Sequence, residues 1–341
     1  MRSREQPYGD PAKHAKLIGL LPLTTPLSLM IDPANVCNFH CTFCPTAYPE
    51  LLAAVARPRG VMKYELFCKI IDDSKAFPNR LGKLHLYKDG EPFLNKHLGK
   101  MIAYAKKSGV AQSVETTTNG SLLNRETSKE IIDAGLDRIR ISIEHVHDEG
   151  YKLITGDFSD YSGILNNVEG LFSEKQKRKS KLHIHVKLVD VGFTDEEKIK
   201  FFTDFDGLAD EIFIDELMGW SDSGRFDFTL GRSPDVGMTR RTQINRNRIV
   251  CPQPFYTLSV NFNGLVSVCC VDWTMNTVVG DCVTEELPAI WNGVKLKRFR
   301  LMHLEGNRTA NSACRNCQYL FGMSQASDLD DDRKDLLDSF Q

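Results

Sequence analysis

The segment Ile31-Asp32-Pro33-Ala34-Asn35-Val36-Cys37-Asn38-Phe39-His40-Cys41-Thr42-Phe43-Cys44-Pro45 carries three cysteines in a C-x3-C-x2-C run. It continues an apolar stretch, residues 27–32, that reads as a buried strand. A four-iron cluster ordinarily takes four cysteines. The next cysteine, Cys68, lies far along a predicted helix, where it reads as core. The compact trio therefore implies a cube with one iron left open to a ligand. The alternative for the same residues is a structural zinc knuckle, which needs a fourth Cys or His, and His40 inside the loop is the residue that would supply it.

Outward from this loop, apolar runs of strand length alternate with longer amphipathic stretches as far as about residue 215. Strands are expected at 27–32, 83–87, 113–117, 138–143, 182–189 and 211–214, with helices near 63–75, 95–108, 125–134, 160–175 and 195–205. Repeated β-α units build a parallel sheet, and six of them fit an α/β fold of the open, partial (β/α)6 barrel type better than a doubly wound sheet. Function should then collect at the carboxyl ends of the strands. Residues 219–250 break the pattern with Gly, Ser, Pro and the arginines Arg225, Arg232, Arg240, Arg241, Arg246 and Arg248; the segment reads as a linker or crossing with a solvated basic face, the alternative being arginines that hold an anionic substrate group. Beyond it, Asn263-Gly264 between two apolar runs, 257–261 and 265–271, signals a hairpin. A helix is expected over 284–304, and the charged end, 328–341, is expected to fray. The resulting division is an N-terminal extension 1–26, a barrel 27–218, a linker 219–250, a small C-terminal domain 251–325 and a tail 326–341.

The 341 residues are 41% hydrophobic and 26% charged with a formal net charge of −2, so nothing points to a nucleic-acid groove. The first sixteen residues lack the apolar core of a signal peptide, and no apolar run approaches the roughly 18 residues of a spanning helix. A cytoplasmic location without membrane attachment is the expectation. Ten cysteines in a reducing compartment are poor disulfide candidates, and nine of them group as Cys37/41/44, Cys251/269/270/282 and Cys314/317, which suggests metal ligation.

The trio, with Phe43 before its last cysteine, resembles the signature of the radical S-adenosylmethionine (SAM) superfamily. Gly90-Glu91-Pro92 after the second strand is similar to that family's GGEP-type segment, with Asp89 in place of the first glycine. Thr118-Asn119-Gly120 ends the third strand as in many members, and Ser142 and Glu144 resemble the ribose-contacting positions of the fourth. The resemblance implies SAM bound to a [4Fe-4S] cluster on Cys37, Cys41 and Cys44, with Phe43 beside the adenine, Gly90, Glu91 and Pro92 near the methionine ammonium, Asn119 in the SAM pocket, Ser142 and Glu144 at the ribose, and Lys187 toward the carboxylate. It also implies reductive cleavage of SAM to a 5′-deoxyadenosyl radical, with electrons from a flavodoxin- or ferredoxin-type donor.

The C-terminal cysteines resemble the auxiliary-cluster region of the SPASM/Twitch subgroup. Cys251 is followed by a glycine, Gly264, then four residues and Cys269, and Cys314-x2-Cys317 closes the set. Full SPASM members carry further cysteines after that element, whereas here none follows Cys317. The shorter Twitch arrangement is therefore expected, with one auxiliary [4Fe-4S] cluster on Cys251, Cys269, Cys314 and Cys317; a structural zinc is the alternative. Cys270 and Cys282 are left over. They read either as small buried hydrophobes or as thiols that donate hydrogen to a substrate radical, and strand alternation should turn Cys270 away from Cys269.

Tyr87, Lys88, His145, Asp190, Glu216 and Trp220 fall near strand ends and are candidates for substrate handling. The resemblance implies three kinds of activity. The first is hydrogen abstraction from a carbinol carbon of a sugar or aminocyclitol, a small polyol, as in aminocyclitol dehydrogenases (oxidoreductases) and aminoglycoside epimerases of antibiotic or carbohydrate biosynthesis. The second is peptide or protein modification by a SPASM-type maturase, and the third a non-catalytic iron–sulfur accessory role. With 36 residues ahead of Cys37, the leader-binding domain of many peptide modifiers is expected to be absent, which favours the polyol.

Overall fold

Alternation decides how the strands are used. In Arg138–Ile143 the three isoleucines are fully buried beneath the helices, while Arg138, Arg140 and Ser142 take the other face. In the computed structural model, which describes residues 15–158, 160–222, 224–237 and 243–340, this is the fourth of six parallel strands. They are β1 (Ser28–Ile31), β2 (Leu81–Leu86), β3 (Ala111–Thr118), β4 (Arg138–Ile143), β5 (His183–Asp190) and β6 (Glu211–Glu216). Each strand pairs with the next in sequence, so the sheet is the open partial barrel expected, with helices Tyr64–Ser74, Leu98–Ser108, Arg125–Asp133, Tyr161–Lys177 and Asp195–Phe205 between them. Capping boxes at Asn124 and Thr194 start two of these helices, and Gly109, at φ 69°, ends another. Two further helices, Pro49–Ala54 and Asp148–Thr155, lie where the spacing predicts none.

The inner face of the sheet is ionic where closed parallel barrels stack branched aliphatics. Glu115 on β3 lies 3.1 Å from Lys83, 3.4 Å from Arg140 and 3.7 Å from His85, and Glu211 on β6 pairs with Arg138 and, at 3.3 Å, with His183. Burial holds His85 neutral and pushes its pKa down to about 3.

The sheet does not stop at the linker. β7 (Thr257–Val260) pairs parallel with β1, and β8 (Leu265–Ser267) and β9 (Val278–Asp281) continue it antiparallel, so one nine-stranded sheet runs through both cysteine-bearing regions. The hairpin turns at Asn263-Gly264, with Gly264 at φ 94°. The single helix expected over 284–304 is two, Leu287–Trp291 and Val294–Leu304, because Gly293 is extended and a side chain there would meet the Ala289 carbonyl at 2.9 Å. The tail does not fray among the described residues: Arg333–Phe340 is helical, and Leu329 and Leu336 bury against Leu17, Val250, Phe255 and Leu304. Arg248 is no solvated linker residue either; it is 2% exposed and bonds the Met323 and Ser324 carbonyls and Asp328. Arg240 and Arg241 lie outside the described residues. No helix among the described residues is long and apolar enough to cross a membrane.

Candidate active site and auxiliary cysteine site

The carboxyl ends of all six strands open into one cavity of about 350 Å³. The loop after β1 brings Cys37, Cys41, Phe43 and Cys44 to its wall; β2 brings Tyr87 to Glu91, β3 Thr117 to Asn119, β4 Arg140, Ser142 and Glu144, β5 Lys187, and β6 Asp215 and Glu216.

The cysteine loop is held from outside itself. The His40 and Thr42 amides donate to the Thr155 and Ile154 carbonyls, each at 2.9 Å, and Phe39 packs among Tyr151 and Phe158. Trp220 Nε1 donates to the Phe43 carbonyl at 3.0 Å. Gly90 is required by close approach: a Cβ there would lie 2.3 Å from the carbonyl oxygens of Ala34 and Val36, and the Glu91 amide donates to Val36 at 2.9 Å. Glu91, 1% exposed, accepts from the Thr118 hydroxyl and the Asn119 amide, both at 2.8 Å, and from the Phe93 amide at 3.0 Å. Its carboxylate therefore ties the end of β2 to that of β3, and burial still pushes its pKa up to about 7. Asn119 Nδ2 donates to Asn38 at 3.0 Å and approaches Cys37 Sγ at 3.9 Å. Glu144 is likewise raised to about 7 by burial, with Lys187 opposing, and Lys187 pairs with Asp215 at 3.3 Å. Pro92 does not line the cavity; it is buried and opens the short turn Pro92–Leu94.

The three loop thiols are free and share the cavity wall. Burial pushes Cys37 up to about 12 and raises Cys41 and Cys44; the nearness of Cys44 raises Cys37 further, and that of Cys44 and Cys37 raises Cys41. Such thiols give up their protons when an iron core takes them, so the donor set fits a cluster. His40, the fourth ligand a zinc knuckle would use, is exposed and lies outside the lining.

Cys251, Cys269, Cys314 and Cys317 line a second, smaller cavity with Asp272, His303 and Arg308. All four are free thiols; burial raises Cys251 to about 12 and raises Cys314 and Cys317, while Cys269 is raised first by its hydrogen bond with Cys270 and then by burial, and this set also fits a cationic core.

The two leftover cysteines separate. β8 ends at Ser267, after a register shift at Val266/Ser267, so Cys269 and Cys270 stand on a turn where strand alternation does not apply. They line different cavities all the same, and Cys270 lines the larger one. Cys282 is fully buried in the main apolar core and borders neither cavity, so the structure does not bring this candidate hydrogen donor to the site. Cys68 is half-buried on its helix rather than core.

Among the remaining strand-end candidates, Tyr87, Lys88, Glu216 and Trp220 line the larger cavity and two do not. His145 packs on Phe193 and His147 and faces Glu197 at 3.5 Å; Asp190 accepts from the Gly192 and Phe193 amides and pairs with Lys198 at 2.9 Å. Sequence reading missed Arg140, Asp215 and Tyr319. Arg140 shares the i, i+2, i+4 face of β4 with Ser142 and Glu144 and donates to the Tyr87 hydroxyl at 2.8 Å, so the alternation contained it. Tyr319, just past the C-x2-C, has no such signal.

With this geometry in hand, comparison with known proteins places the chain. The Radical SAM superfamily model matches residues 31–203, and that of SPASM, an iron-sulfur cluster-binding domain, matches 251–318. The chain belongs to the radical SAM superfamily, whose domain implies SAM and a [4Fe-4S] cluster, and the SPASM match implies additional iron–sulfur binding. An uncharacterized protein of Methanocaldococcus jannaschii is 37% identical over 138 residues, 39% of this chain and 44% of that protein. GTP 3′,8-cyclase of Brucella ovis is 27% identical over 231 residues, 63% of this chain and 58% of that one. The chain thus spans about half the length of the curated relatives it matches. Among solved structures, BtrN in complex with AdoMet and 2-DOIA superposes with TM-score 0.55 at 17% identity, covering 88% of this chain and 96% of that one. Streptococcus suis SuiB bound to the precursor peptide SuiA gives 0.63 at 14%, covering 90% and 73%.

Proposed function

We propose that this radical SAM enzyme takes hydrogen from a carbinol carbon of a small hydroxylated molecule, a sugar or aminocyclitol, and completes either a dehydrogenation or an epimerisation. Bound together, the reduced four-iron cluster and SAM supply the radical that removes hydrogen from an unactivated C–H. The chain's own residues position and enclose. In this reading Cys37, Cys41 and Cys44 hold three irons, and Phe43, Gly90, Glu91, Asn119, Ser142, Glu144 and Lys187 border SAM, with Pro92 fixing the turn that follows Glu91. Cys251, Cys269, Cys314 and Cys317 hold the auxiliary cluster, and a flavodoxin- or ferredoxin-type protein delivers electrons.

The observation that carries the substrate class is a set of polar side chains in the otherwise largely apolar cavity wall beyond those residues. Tyr87 bonded to Arg140, Asp215 paired with Lys187, and Glu216 offer donors and acceptors to several hydroxyls from the cavity wall. Cys270 stands in the same wall, where a thiol can return a hydrogen atom. The likeness to BtrN, solved with AdoMet and 2-DOIA, is in keeping with a small ligand.

Reconstituted protein incubated with a panel of aminoglycosides and sugars tests the reading. Substrate-dependent 5′-deoxyadenosine accompanied by a changed sugar is expected. SAM cleavage with a modified peptide and no altered sugar would instead support a peptide substrate, as in the complex of SuiB with SuiA. In deuterated water, label at one carbon identifies epimerisation and loss of two hydrogens identifies dehydrogenation. If the product is an epimer, Cys270→Ala should abolish it while SAM cleavage continues.

A further inference from the structure

We propose that His303 donates a hydrogen bond from Nε2 to the sulfur of Cys314 and thereby raises the reduction potential of the auxiliary cluster; this rests on the ligand assignment proposed above. His303 lies on the helix Val294–Leu304, is fully buried, and lines the second cavity. Its Nδ1 accepts from the Cys251 amide at 3.2 Å. A neutral imidazole has one donor and one acceptor nitrogen, so accepting at Nδ1 leaves the proton on Nε2. That nitrogen lies 3.9 Å from Cys314 Sγ, within reach of a sulfur acceptor. One ring therefore touches two of the four cysteines, the first and the third in chain order.

The ring has little freedom to do otherwise. Phe299, one turn earlier on the same helix, packs against it with centroids 5.1 Å apart and planes 30° apart. Arg308 donates to the Cys314 carbonyl at 2.6 Å and fixes that cysteine's backbone from another side. Ligation of iron by Nε2 is the competing role, and it would move the proton to Nδ1, where it would face the Cys251 N–H donor. The donor role keeps both contacts. A hydrogen bond to cluster sulfur favours the reduced, more negative state, one of the controls on iron–sulfur potentials.

The test is a redox titration of the anaerobically reconstituted full chain, followed by EPR with iron measured alongside. His303→Leu should keep its iron and shift the auxiliary cluster's reduction equilibrium about tenfold toward the oxidised form, equal to about 59 mV for one electron. His303→Gln, which presents an amide nitrogen near the Nε2 position, should recover most of that shift. An unchanged potential in His303→Leu with iron intact overturns the proposal, as does loss of the auxiliary iron, which would make His303 a ligand. Pulsed EPR on the unaltered protein does not depend on the variants folding: weak coupling of one histidine nitrogen to the auxiliary signal supports the proposal, and strong coupling or none overturns it. Failure of the ligand assignment itself would be seen separately, as Cys251→Ala protein that keeps all its iron.

Discussion

The two cysteine sites solve the same problem in opposite ways. The first draws three thiols from eight consecutive residues on one loop, and its wall opens into a large cavity. The second draws four from three separated places, beside β7, beyond β8 and after the helix Val294–Leu304, and encloses them. A local, three-thiol site leaves room for chemistry and contributes little to holding distant chain together. A dispersed, four-thiol site joins remote segments and has no vacancy in its donor set.

Changing Cys37, Cys41 and Cys44 together to Ala should have the largest effect: SAM cleavage disappears and roughly half of about eight irons is lost, while circular dichroism and the melting curve change little. Cleavage that survives would break the assignment of the open site. Cys251→Ala should instead remove the other half of the iron and raise hydrogen exchange across residues 251–318 far more than across 31–203. Equal exchange in both would show that the dispersed set does not cross-link the fold. Gly90→Ala forces a methyl against two backbone carbonyls at 2.3 Å. A stability loss of about 1–3 kcal/mol is expected from such overpacking, together with weaker SAM binding, read by chemical denaturation and by calorimetry. Cys282→Ala, a core thiol, should cost only about 1 kcal/mol and leave iron and SAM cleavage unchanged.

The ionic interior gives a pH dependence that neither site requires. His85 titrates near 6.5 when unfolded and near 3 when folded, so the unfolded chain binds a proton that the folded chain refuses. Its contribution is full above pH 6.5 and is lost as pH falls toward 3, at up to about 1.4 kcal/mol per pH unit. Glu91 and Glu144, raised from 4.5 to about 7, act in the opposite sense: the folded chain holds their protons, and stability falls as pH rises through that window. The comparison that isolates the histidine is the urea midpoint of the unaltered chain against His85→Gln at pH 7, 6 and 5. The gap between them should change steadily below pH 6.5, and a constant gap would show that His85 is not held neutral.

How much could be read beforehand follows the same local and dispersed divide. Six strands, five helices and the first cysteine loop were legible because hydrophobic period and motif spacing are local. The auxiliary four emerged only through family resemblance, since nothing in the spacing of Cys251 and Cys314 says that they meet. The break at Gly293 and the packed tail were missed because a close backbone approach and a distant apolar patch decided them, around Leu17 and Leu336. Tyr319 carries no periodic signal, and the helical spacing that places His303 on the buried face with Leu296, Arg300 and Leu304 does not say that it meets a cysteine.

β1 pairs with β2 on one edge and β7 on the other, residue for residue from Ser28 to Ile31. The loop bearing the first three cysteines leaves the end of this same strand, and the hairpin leading to Cys269 grows from its neighbour. The first cysteine loop and the segment leading to Cys269 are therefore tied through adjacent hydrogen-bonded strands rather than through a hinge. With both cysteine sets carrying clusters as proposed, electron tunnelling between them would run at a rate indifferent to solvent viscosity.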